Sequence, residues 1–350
     1  MSLDLVGKWA ERPPGMRDLY PQHARMRRKV ENQLLEFFAE QAFDMVSSGA
    51  FEYVETLSRG RVAEGSARFV QWFDTDGKAV ALRPDMTPSI ARMAAPLLAN
   101  GRQEIRWCYA ERVYHRTTDP ASLSWASGRA AESTQVGVEW IGAAGTEADA
   151  ALLQLCQNGL DRLGVPDWHM VASHANIAQA LLTSLGIAPA DVQSLLDTLT
   201  RGDYVAFQDE TERMGIKLDV LQVFARCNPY EPSSFPDWSA EVDSASFSAA
   251  KQAWRELTAV AHALQAKGLA HRVSFDLALH RDVSYYTGLV FEVYSPGVGA
   301  PVAVGGRYDD LLAQFGAPAP AIGFTFEVER VLAVLTEGAW LHGDGEGSTC

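Results

Sequence analysis

The order of strand-like and helix-like segments is the feature that most limits how this chain can fold. Short apolar and aromatic runs typical of strands occupy residues 50 to 142, and similar runs return between residues 271 and 327. From residue 146 the apolar residues recur at helical spacing for about 120 residues. Strands that cluster in the sequence, with helices segregated between them, predict an α+β domain on a mainly antiparallel sheet. A Rossmann-type alternation of strands and helices is not indicated.

Individual segments can be placed within this pattern. Residues 21 to 43 carry apolar side chains at helical spacing after Pro21, a favourable first helical residue, and predict an amphipathic helix. The Asp76-Gly77 pair predicts a tight hairpin between the runs at 68–74 and 78–83. A longer hairpin is expected to join residues 104–115 to residues 133–142 through a polar loop. We place a helical insertion at about 165–270.

The charge balance weighs against a nucleic-acid partner. The chain has 44 acidic and 30 basic residues, which give a formal net charge of −14. Affinity for nucleic acid comes mainly from lysine and arginine neutralising phosphates, so a strongly acidic chain is a poor candidate. The one basic cluster, Arg25, Arg27, Arg28 and Lys29, is more simply interpreted as a solvated helix face.

Several other classes of site receive no support from the sequence. The four cysteines, Cys108, Cys156, Cys227 and Cys350, form no C-x-x-C pair, so neither a disulfide framework nor a zinc set is expected. The common phosphate, zinc, hydrolase and calcium motifs do not occur. No segment approaches the roughly 18 to 20 apolar residues that a membrane span needs, and we expect a cytoplasmic protein without a metal.

Six motifs, taken in order, carry a resemblance to class II aminoacyl-tRNA synthetases. They are PPGMRDLYP near the start, LRPDMTPSIARM at 82–93, QVGVEWIG at the end of the long hairpin, RDVSYYTGLVFE at 281–292, VGGRYDDLL at 304–312 and IGFTFEVERVL at 322–332. Together they resemble histidyl-tRNA synthetase from residue 12 to residue 335. The resemblance implies a class II synthetase-like catalytic core, in which helices flank a mainly antiparallel sheet and a helical insertion interrupts it.

The same resemblance implies a pocket for histidine. In the synthetases an acidic residue and a threonine hold the amino group, two strand residues face the amino acid, an arginine meets a carboxylate, and two tyrosines enclose the imidazole. The matching positions are Asp85, Thr87, Gln135, Glu139, Arg281, Tyr285 and Tyr286. Gln135 and Glu139 are four residues apart on a strand, so their side chains point the same way. An alternative stays open, because such residues could be packed core groups with satisfied hydrogen bonds.

The positions that would handle ATP depart from the synthetase pattern. Adenylation needs fixed cations against phosphate charge, normally one arginine from each of two motifs, and Arg330 matches only the later one. His115 stands where the earlier arginine is expected, and Arg116 is shifted by one place, which on a strand reverses the side-chain direction. Arg129 matches a loop position, whereas Glu327 replaces a glycine near the nucleotide. We therefore expect a degenerate ATP site and weak or absent adenylation.

The length after the last motif bears on transfer RNA. The chain ends at residue 350, twenty residues beyond Arg330, so we expect a C-terminal tail at 336–350 and no anticodon-binding domain. A histidine pocket without a full ATP site or a tRNA-reading domain resembles the family of regulatory subunits that accompany short-form ATP phosphoribosyltransferase in bacterial histidine biosynthesis.

This second resemblance implies function and partners. It describes a non-catalytic subunit with no catalytic residues and no cofactor, in which intrinsic aminoacylation is not expected. The chain would assemble with the short-form catalytic subunit, which uses Mg²⁺, and would support the first step of histidine biosynthesis and its feedback inhibition by histidine. We also expect a homodimer within a hetero-oligomer, with neither tRNA nor a membrane as a partner.

Two other functions remain open on the sequence alone. One is an active enzyme, either a short histidyl-tRNA synthetase or a relative that adenylates histidine for another acceptor. Arg330, Arg129 and the Arg281-Tyr285-Tyr286 set favour it, and His115 opposes it. The other is a synthetase-like sensor of an amino acid or of uncharged tRNA, although the net charge of −14 argues against a tRNA sensor.

Overall fold

The strands of the chain form two sheets, one large and one small. The computed structural model describes residues 12–59, 69–116, 130–216, 220–235, 244–280 and 284–336. The strands in chain order are β1 (Asp44–Met45), β2 (Phe51–Tyr53), β3 (Gln71–Phe73), β4 (Ala79–Leu82), β5 (Ile105–Tyr114), β6 (Glu132–Ile141), β7 (His169–His174), β8 (Val273–Phe275), β9 (Leu289–Tyr294), β10 (Ala303–Arg307) and β11 (Ala321–Glu327). The eight-stranded sheet has the order β1-β5-β6-β11-β10-β9-β7-β8, and the three-stranded sheet has the order β2-β4-β3.

Helices lie before, between and after these strands. They are α1 (Pro21–Glu40), α2 (Val54–Ser58), α3 (Thr87–Ala99), α4 (Gly145–Leu163), α5 (Ile177–Ser184), α6 (Pro189–Thr200), α7 (Tyr204–Arg213), α8 (Val220–Arg226), α9 (Ser244–Ala266) and α10 (Val328–Leu335). Short 3₁₀ turns occupy Pro232–Ser234, Ala270–Arg272 and Leu312–Phe315. Among the helices described, none combines the length and the hydropathy that crossing a bilayer requires.

The predicted fold class is confirmed. In the described strands, only the pairs β1–β5 and β7–β8 run parallel, and the other ladders are antiparallel. Both predicted hairpins form. Trp72 pairs with Val80 across the Asp76-Gly77 turn, where Gly77 has a φ of 77° that favours glycine, and β5 pairs with β6 along their whole length.

The predicted start of the helical insertion differs from the structure. Strand β7 (His169–His174) lies within the range assigned to the insertion, at about 165–270, but pairs with β9 and β8 in the central sheet. The inserted helices run from Ile177 to Ala266. A short apolar run such as HMVASH has no periodicity that separates an internal strand from part of a helix, and this explains the difference.

Helices pack against one face of the central sheet. Helix α1 buries Val30, Leu34, Phe37 and Phe38 along one stripe, as its amphipathic pattern predicts. The Phe38 ring packs edge-on to Phe324 at 5.9 Å and stacks on Phe326 at 6.4 Å, both centroid distances. Because the apolar side chains of β6 and β11 alternate with polar ones, the polar ones must project from the opposite face. We call that opposite surface the polar face.

Arg83 fixes the segment that leads into α3. Its side chain is only 2% exposed, and its Nη2 donates to a Glu111 carboxylate oxygen at 2.6 Å. Its Nη1 donates to the carbonyl oxygens of Ser48 and Gly49 at 2.9 and 2.6 Å, and its Nε donates to the Arg112 carbonyl at 2.9 Å. One buried guanidinium therefore ties the start of α3 to β5, which places the first turn of α3 beside the polar face.

Three of the four cysteines lie in the described residues, and all three are buried free thiols. Burial raises the pKa of Cys108 and of Cys227 to about 11, which leaves both thiols neutral and unreactive near neutral pH. Cys350 lies outside the described residues. No cluster of His, Cys, Asp or Glu side chains in the described part of the chain has the arrangement of a metal site.

Candidate functional site

The register of two central strands brings the predicted site residues into line. On β6, Gln135 and Glu139 point to the polar face, and their partners on β11 are Glu327 and Gly323 respectively. Tyr109 of β5 lies opposite Gly137, between these two pairs. Side chains that are far apart in the sequence thus share one row of the sheet.

Glu139 is the most deeply buried acid of this row. It is 1% exposed, and its Oε1 accepts a hydrogen bond of 2.7 Å from the Thr87 hydroxyl, while its Oε2 accepts one from the Tyr308 hydroxyl. Burial raises the pKa of Glu139 to about 7, against the lowering effect of these two bonds. Both protonation states of this carboxyl group are therefore populated near neutral pH.

Two adjacent glycines make room for this arrangement. Gly323 lies directly opposite Glu139, and a Cβ at that position would overlap the glutamate carboxylate. Gly306 pairs with Gly323, and a Cβ there would lie 2.8 Å from the Tyr286 ring. The absence of side chains at both positions lets an acid and an aromatic ring lie across the sheet.

Three tyrosines form a cluster beside Glu139. The Tyr285 and Tyr286 rings are 5.0 Å apart between centroids, and Tyr285 and Tyr308 are 5.9 Å apart, both in edge-on geometry. Tyr285 and Tyr308 are buried, whereas Tyr286 is half-buried. Aromatic faces at these angles suit a planar ring as a ligand. We call these rings, with Glu139, Thr87 and Gln135, the Glu139 site.

The structure brings together most of the residues predicted for a histidine pocket. Thr87 contacts Glu139 directly, and Tyr285 and Tyr286 reach it through Tyr308. Asp85 is half-buried, two residues before Thr87. Arg281 lies outside the described residues. Histidine binding at these positions stays a prediction.

Sequence reasoning missed two tyrosines of the site. Tyr308 occurs in the VGGRYDDLL motif but was given no role, and Tyr109 was not singled out. Burial raises the pKa of both phenols well above 10, and the nearby Glu139 carboxylate raises it further. Both phenols therefore stay neutral hydrogen-bond donors. The available signal was the buried acid itself, because a carboxylate removed from water requires donors.

A buried ion pair positions Tyr308. Its neighbour Arg307 is 5% exposed and donates through Nε to Asp149 at 2.7 Å and through Nη1 to the Ala143 carbonyl at 2.8 Å and to Asp309 at 2.9 Å. Asp309 also accepts a backbone N–H from Ala321 at 2.9 Å. These bonds fix the segment on both sides of Tyr308.

The tyrosine cluster is also joined to the inserted helices. The backbone N–H of Thr287, next to Tyr286, donates to the Arg307 carbonyl at 2.8 Å. The Asn176 side chain, at the start of α5, donates to the Thr287 carbonyl at 3.2 Å. The backbone N–H of Ala175 also donates to the Gly288 carbonyl at 2.8 Å, so two hydrogen bonds join this segment to the start of α5.

Two buried glutamates lie near the other end of the row. The Gln135 amide donates to Glu327 at 3.0 Å, and Glu327 is 6% exposed. Two residues later, Glu329 accepts the backbone N–H of Thr134 at 2.8 Å and its hydroxyl at 2.7 Å. Burial raises the pKa of Glu329 to about 7. Because Thr134 alternates with Gln135 on β6, Glu329 is held toward the helix-covered face, and Glu327 is the carboxylate that lies on the polar face.

The described residues predicted for the ATP side lie on α10 and on the segment that follows β5. Arg330, half-buried on α10, donates through Nη1 to the Pro301 carbonyl at 2.7 Å. His115 and Arg116 are exposed and follow the end of β5 at Tyr114, and the backbone N–H of His115 still donates to the Ala131 carbonyl at 2.9 Å. The opposite directions expected for these two side chains stay a prediction. Arg129 lies outside the described residues.

The basic cluster on α1 lies elsewhere on the molecule. Arg27 and Arg28 both pair with Glu31, at 3.2 and 2.9 Å. Arg28 is 67% exposed, and with Arg25 and Lys29 it lines an open surface groove. This arrangement agrees with a solvated helix face.

Comparison with known proteins gives one consistent family. The family model described as histidyl-tRNA synthetase matches residues 15–331. An ATP phosphoribosyltransferase regulatory subunit from Moorella thermoacetica is 35% identical over 93% of this chain and 82% of its own length. The regulatory subunit of the same name from Bacillus subtilis is 32% identical over 93% of this chain and 81% of its own length.

Solved structures agree with this result. A histidine–tRNA ligase subunit from Alicyclobacillus acidocaldarius matches with a TM-score of 0.85 and 47% identity over 94% of this chain and 98% of that chain. A protein from Bacillus halodurans C, described as an ATP phosphoribosyltransferase regulatory subunit/histidyl-tRNA synthetase, matches with a TM-score of 0.78 and 27% identity over 93% of this chain and 83% of that chain.

Proposed function

Because the chain belongs to the family of ATP phosphoribosyltransferase regulatory subunits, which share the histidyl-tRNA synthetase fold, we propose that it senses histidine for a separate catalytic subunit. Its role in histidine biosynthesis is regulatory. The partner is a short-form ATP phosphoribosyltransferase catalytic subunit, which joins ATP to phosphoribosyl diphosphate with Mg²⁺. Histidine, bound at the Glu139 site, lowers the activity of the assembly.

The observation that carries this proposal is the contrast between the two sides of one site. On the amino-acid side, Thr87 and Tyr308 hold the Glu139 carboxylate next to a tyrosine cluster. On the other side, Gln135 is bonded to the Glu327 carboxylate. A ring with hydrogen-bonding nitrogens finds partners in the first half, whereas a triphosphate meets a buried anion in the second.

The same contrast supports a non-catalytic role. Adenylation requires positive charge on the phosphate groups as they react. Glu327 is a carboxylic side chain at that place, and Arg330 donates through Nη1 to a backbone carbonyl. We therefore expect no adenylation and no aminoacylation by the isolated chain.

Regulation by histidine requires different affinities for the active and inhibited assemblies, with a coupling free energy of typically about 1 to 3 kcal/mol. The hydrogen bond from Asn176 to Thr287 offers one place where occupancy of the site could change the inserted helices. A homodimer within a hetero-oligomer, the absence of bound cofactors and of tRNA, and a cytoplasmic location remain predictions.

Reconstitution tests the proposal. The purified chain is mixed with a short-form catalytic subunit, and phosphoribosyl transfer is measured with and without histidine. We expect the mixture to be more active than the catalytic subunit alone and to be inhibited by histidine. A mixture no faster than the catalytic subunit alone would contradict the proposed role.

A second candidate function is an enzyme that adenylates histidine. It is favoured by the description of the Alicyclobacillus acidocaldarius structure as a histidine–tRNA ligase subunit, at 47% identity. Histidine-dependent exchange of pyrophosphate into ATP by the isolated chain distinguishes the two functions. We expect no exchange, and robust exchange would favour the enzyme.

A further inference from the structure

We infer that Glu327 sets the ligand specificity of the Glu139 site, which admits an amine with an imidazole ring but excludes the same ligand when it carries a phosphate group. The inference rests on the proposed function in one respect, namely that histidine is the ligand. It adds the class of molecules that the site rejects and the residue that rejects them.

The position of Glu327 is the first step. It is the last residue of β11, pairs with Gln135 across the sheet, and accepts the Gln135 amide N–H at 3.0 Å. With an exposure of 6%, its carboxylate is held in place and poorly screened by water. One of the two N–H groups of the Gln135 amide is thereby bonded to a carboxylate of the chain.

The start of α10 is the second step. The N-terminus of a helix is a natural place for a phosphate, because its free N–H groups and its dipole favour negative charge. Here Glu327 is the residue that precedes α10, and Glu329 lies in its first turn. Two helix ends lie beside the site, and each carries a carboxylate of the chain itself. Glu327 precedes α10, and Glu139 accepts from Thr87 at the start of α3.

The surrounding charges are the third step. Glu329 is 5% exposed and is held by two hydrogen bonds from Thr134, whose side chain lies on the helix-covered face. Glu327 is therefore the carboxylate of the two that faces the site. Tyr109, between Glu139 and Glu327, adds only a neutral phenol. A phosphate ester carries about −1.5 to −2 charges at pH 7, and like charges in a poorly solvated site repel strongly.

Free histidine does not experience the repulsion that a phosphate group does. Its amino group is a cation, which neighbouring carboxylates attract, and its ring is largely neutral at pH 7. A ligand of zero net charge therefore gains from the acidic surroundings at its amino end. When a phosphate replaces the carboxylate of the amino acid, its repulsion by Glu327 outweighs the attraction of the amino group.

One pair of ligands isolates the phosphate. Histidinol and histidinol phosphate share the imidazole and the amino group and differ only in the ester. The dissociation constants of both, and that of histidine, are measured by titration calorimetry on the full chain, on Glu327→Gln and on Glu292→Gln. Glutamine at 327 keeps an oxygen for the Gln135 bond. Glu292 is the matched control, because it lies on the same face of the sheet, in β9, but two strands from β11.

The wild-type chain should bind histidinol phosphate about tenfold or more weaker than histidinol. Glu327→Gln should reduce that ratio by about tenfold with little change in histidine affinity, and Glu292→Gln should leave the ratio unchanged. An unchanged ratio in Glu327→Gln, with histidine binding intact, overturns the inference alone. A wild-type chain that binds no histidine contradicts the proposed function, and the inference falls with it.

Discussion

The Thr87 hydroxyl donates a hydrogen bond of 2.7 Å to the Glu139 carboxylate, which joins the first turn of α3 to the middle of β6. The other oxygen of the same carboxylate accepts from Tyr308, in the segment after β10. Two segments distant from β6 in the sequence therefore hold the buried acid that β6 carries. Substitutions in any of them probe the state of this carboxylate, and they give separate tests of the account.

The stability of the chain should depend on pH through Glu139. Its pKa is raised by burial from 4.5 to about 7, so between these values the folded chain binds the proton more tightly than the unfolded chain does. The resulting stabilisation is fully present below pH 4.5 and is lost as the pH rises to about 7. Glu139→Gln should reduce this loss, by at most roughly 1.4 kcal/mol per pH unit.

Urea unfolding at several pH values between 5 and 7 measures this effect. Glu104→Gln is the control, because hydrogen bonds from Arg106 and Trp140 lower the pKa of that exposed acid. Its contribution is lost when the pH falls, which is the opposite direction. If the free energy of unfolding changed with pH at the same rate in wild type and in Glu139→Gln, the pKa of Glu139 would not be raised in the folded chain.

Removal of the Tyr308 hydroxyl should weaken histidine feedback. Tyr308→Phe keeps the ring but leaves one Glu139 oxygen without its buried donor, at a cost of about 1 to 3 kcal/mol in the free energy of unfolding. The histidine concentration for half inhibition of the reconstituted complex should rise about tenfold. Tyr53→Phe, in the small sheet and 43% exposed, should change neither quantity. Unaltered inhibition by histidine in Tyr308→Phe would place the effector elsewhere.

A methyl group at residue 323 should separate activation from feedback. Gly323→Ala places a Cβ where the Glu139 carboxylate lies and 2.6 Å from the Val138 carbonyl oxygen, so the carboxylate must move and the pairing of β11 with β6 must shift locally. Urea unfolding of the variant measures the cost of that shift separately from feedback. We expect the variant to activate the catalytic subunit but to respond poorly to histidine. Gly49→Ala is the control, because a Cβ there would meet only the Phe51 carbonyl at an ordinary 3.5 Å. Normal feedback in Gly323→Ala would show that the position of Glu139 is unimportant.

The Arg307 ion pair should be structural. Both Arg307 and Asp149 are buried, at 5% exposure each, and Arg307→Ala leaves the Asp149 charge without its partner. Such a loss costs about 3 to 5 kcal/mol in the free energy of unfolding. Arg106→Ala, which removes an exposed pair with Glu104, should cost about 1 kcal/mol or less. Urea unfolding measures both losses of unfolding free energy. Similar losses in the two variants would contradict the structural role of the buried Arg307 pair.

The fold was predictable from the sequence because local patterns are consistent with it. Both hairpins follow from strand-like runs around polar turns, and α1 follows from the spacing of Leu34 and Phe38. Strand β7 was missed, since a short buried strand between helices has no periodicity of its own. The same-side placement of Gln135 and Glu139 required only the alternation of a strand.

The chemistry of the site was only partly predictable. The bond between Gln135 and Glu327 joins residues 192 positions apart and depends on the register of β6 with β11, which no local pattern reveals. The role of Tyr308 depends in the same way on β10 and β6 being separated by a single strand. The sequence indicated the candidate site residues, and the sheet register decided which of them meet.

The most direct test of the central claim is a histidine titration of phosphoribosyl transfer by the reconstituted complex, with wild-type chain and with Glu139→Gln. The account predicts equal activity without histidine, and a half-inhibiting histidine concentration about tenfold or more higher for the variant. The same inhibition curve for both proteins would contradict the claim that this chain senses histidine through the Glu139 site.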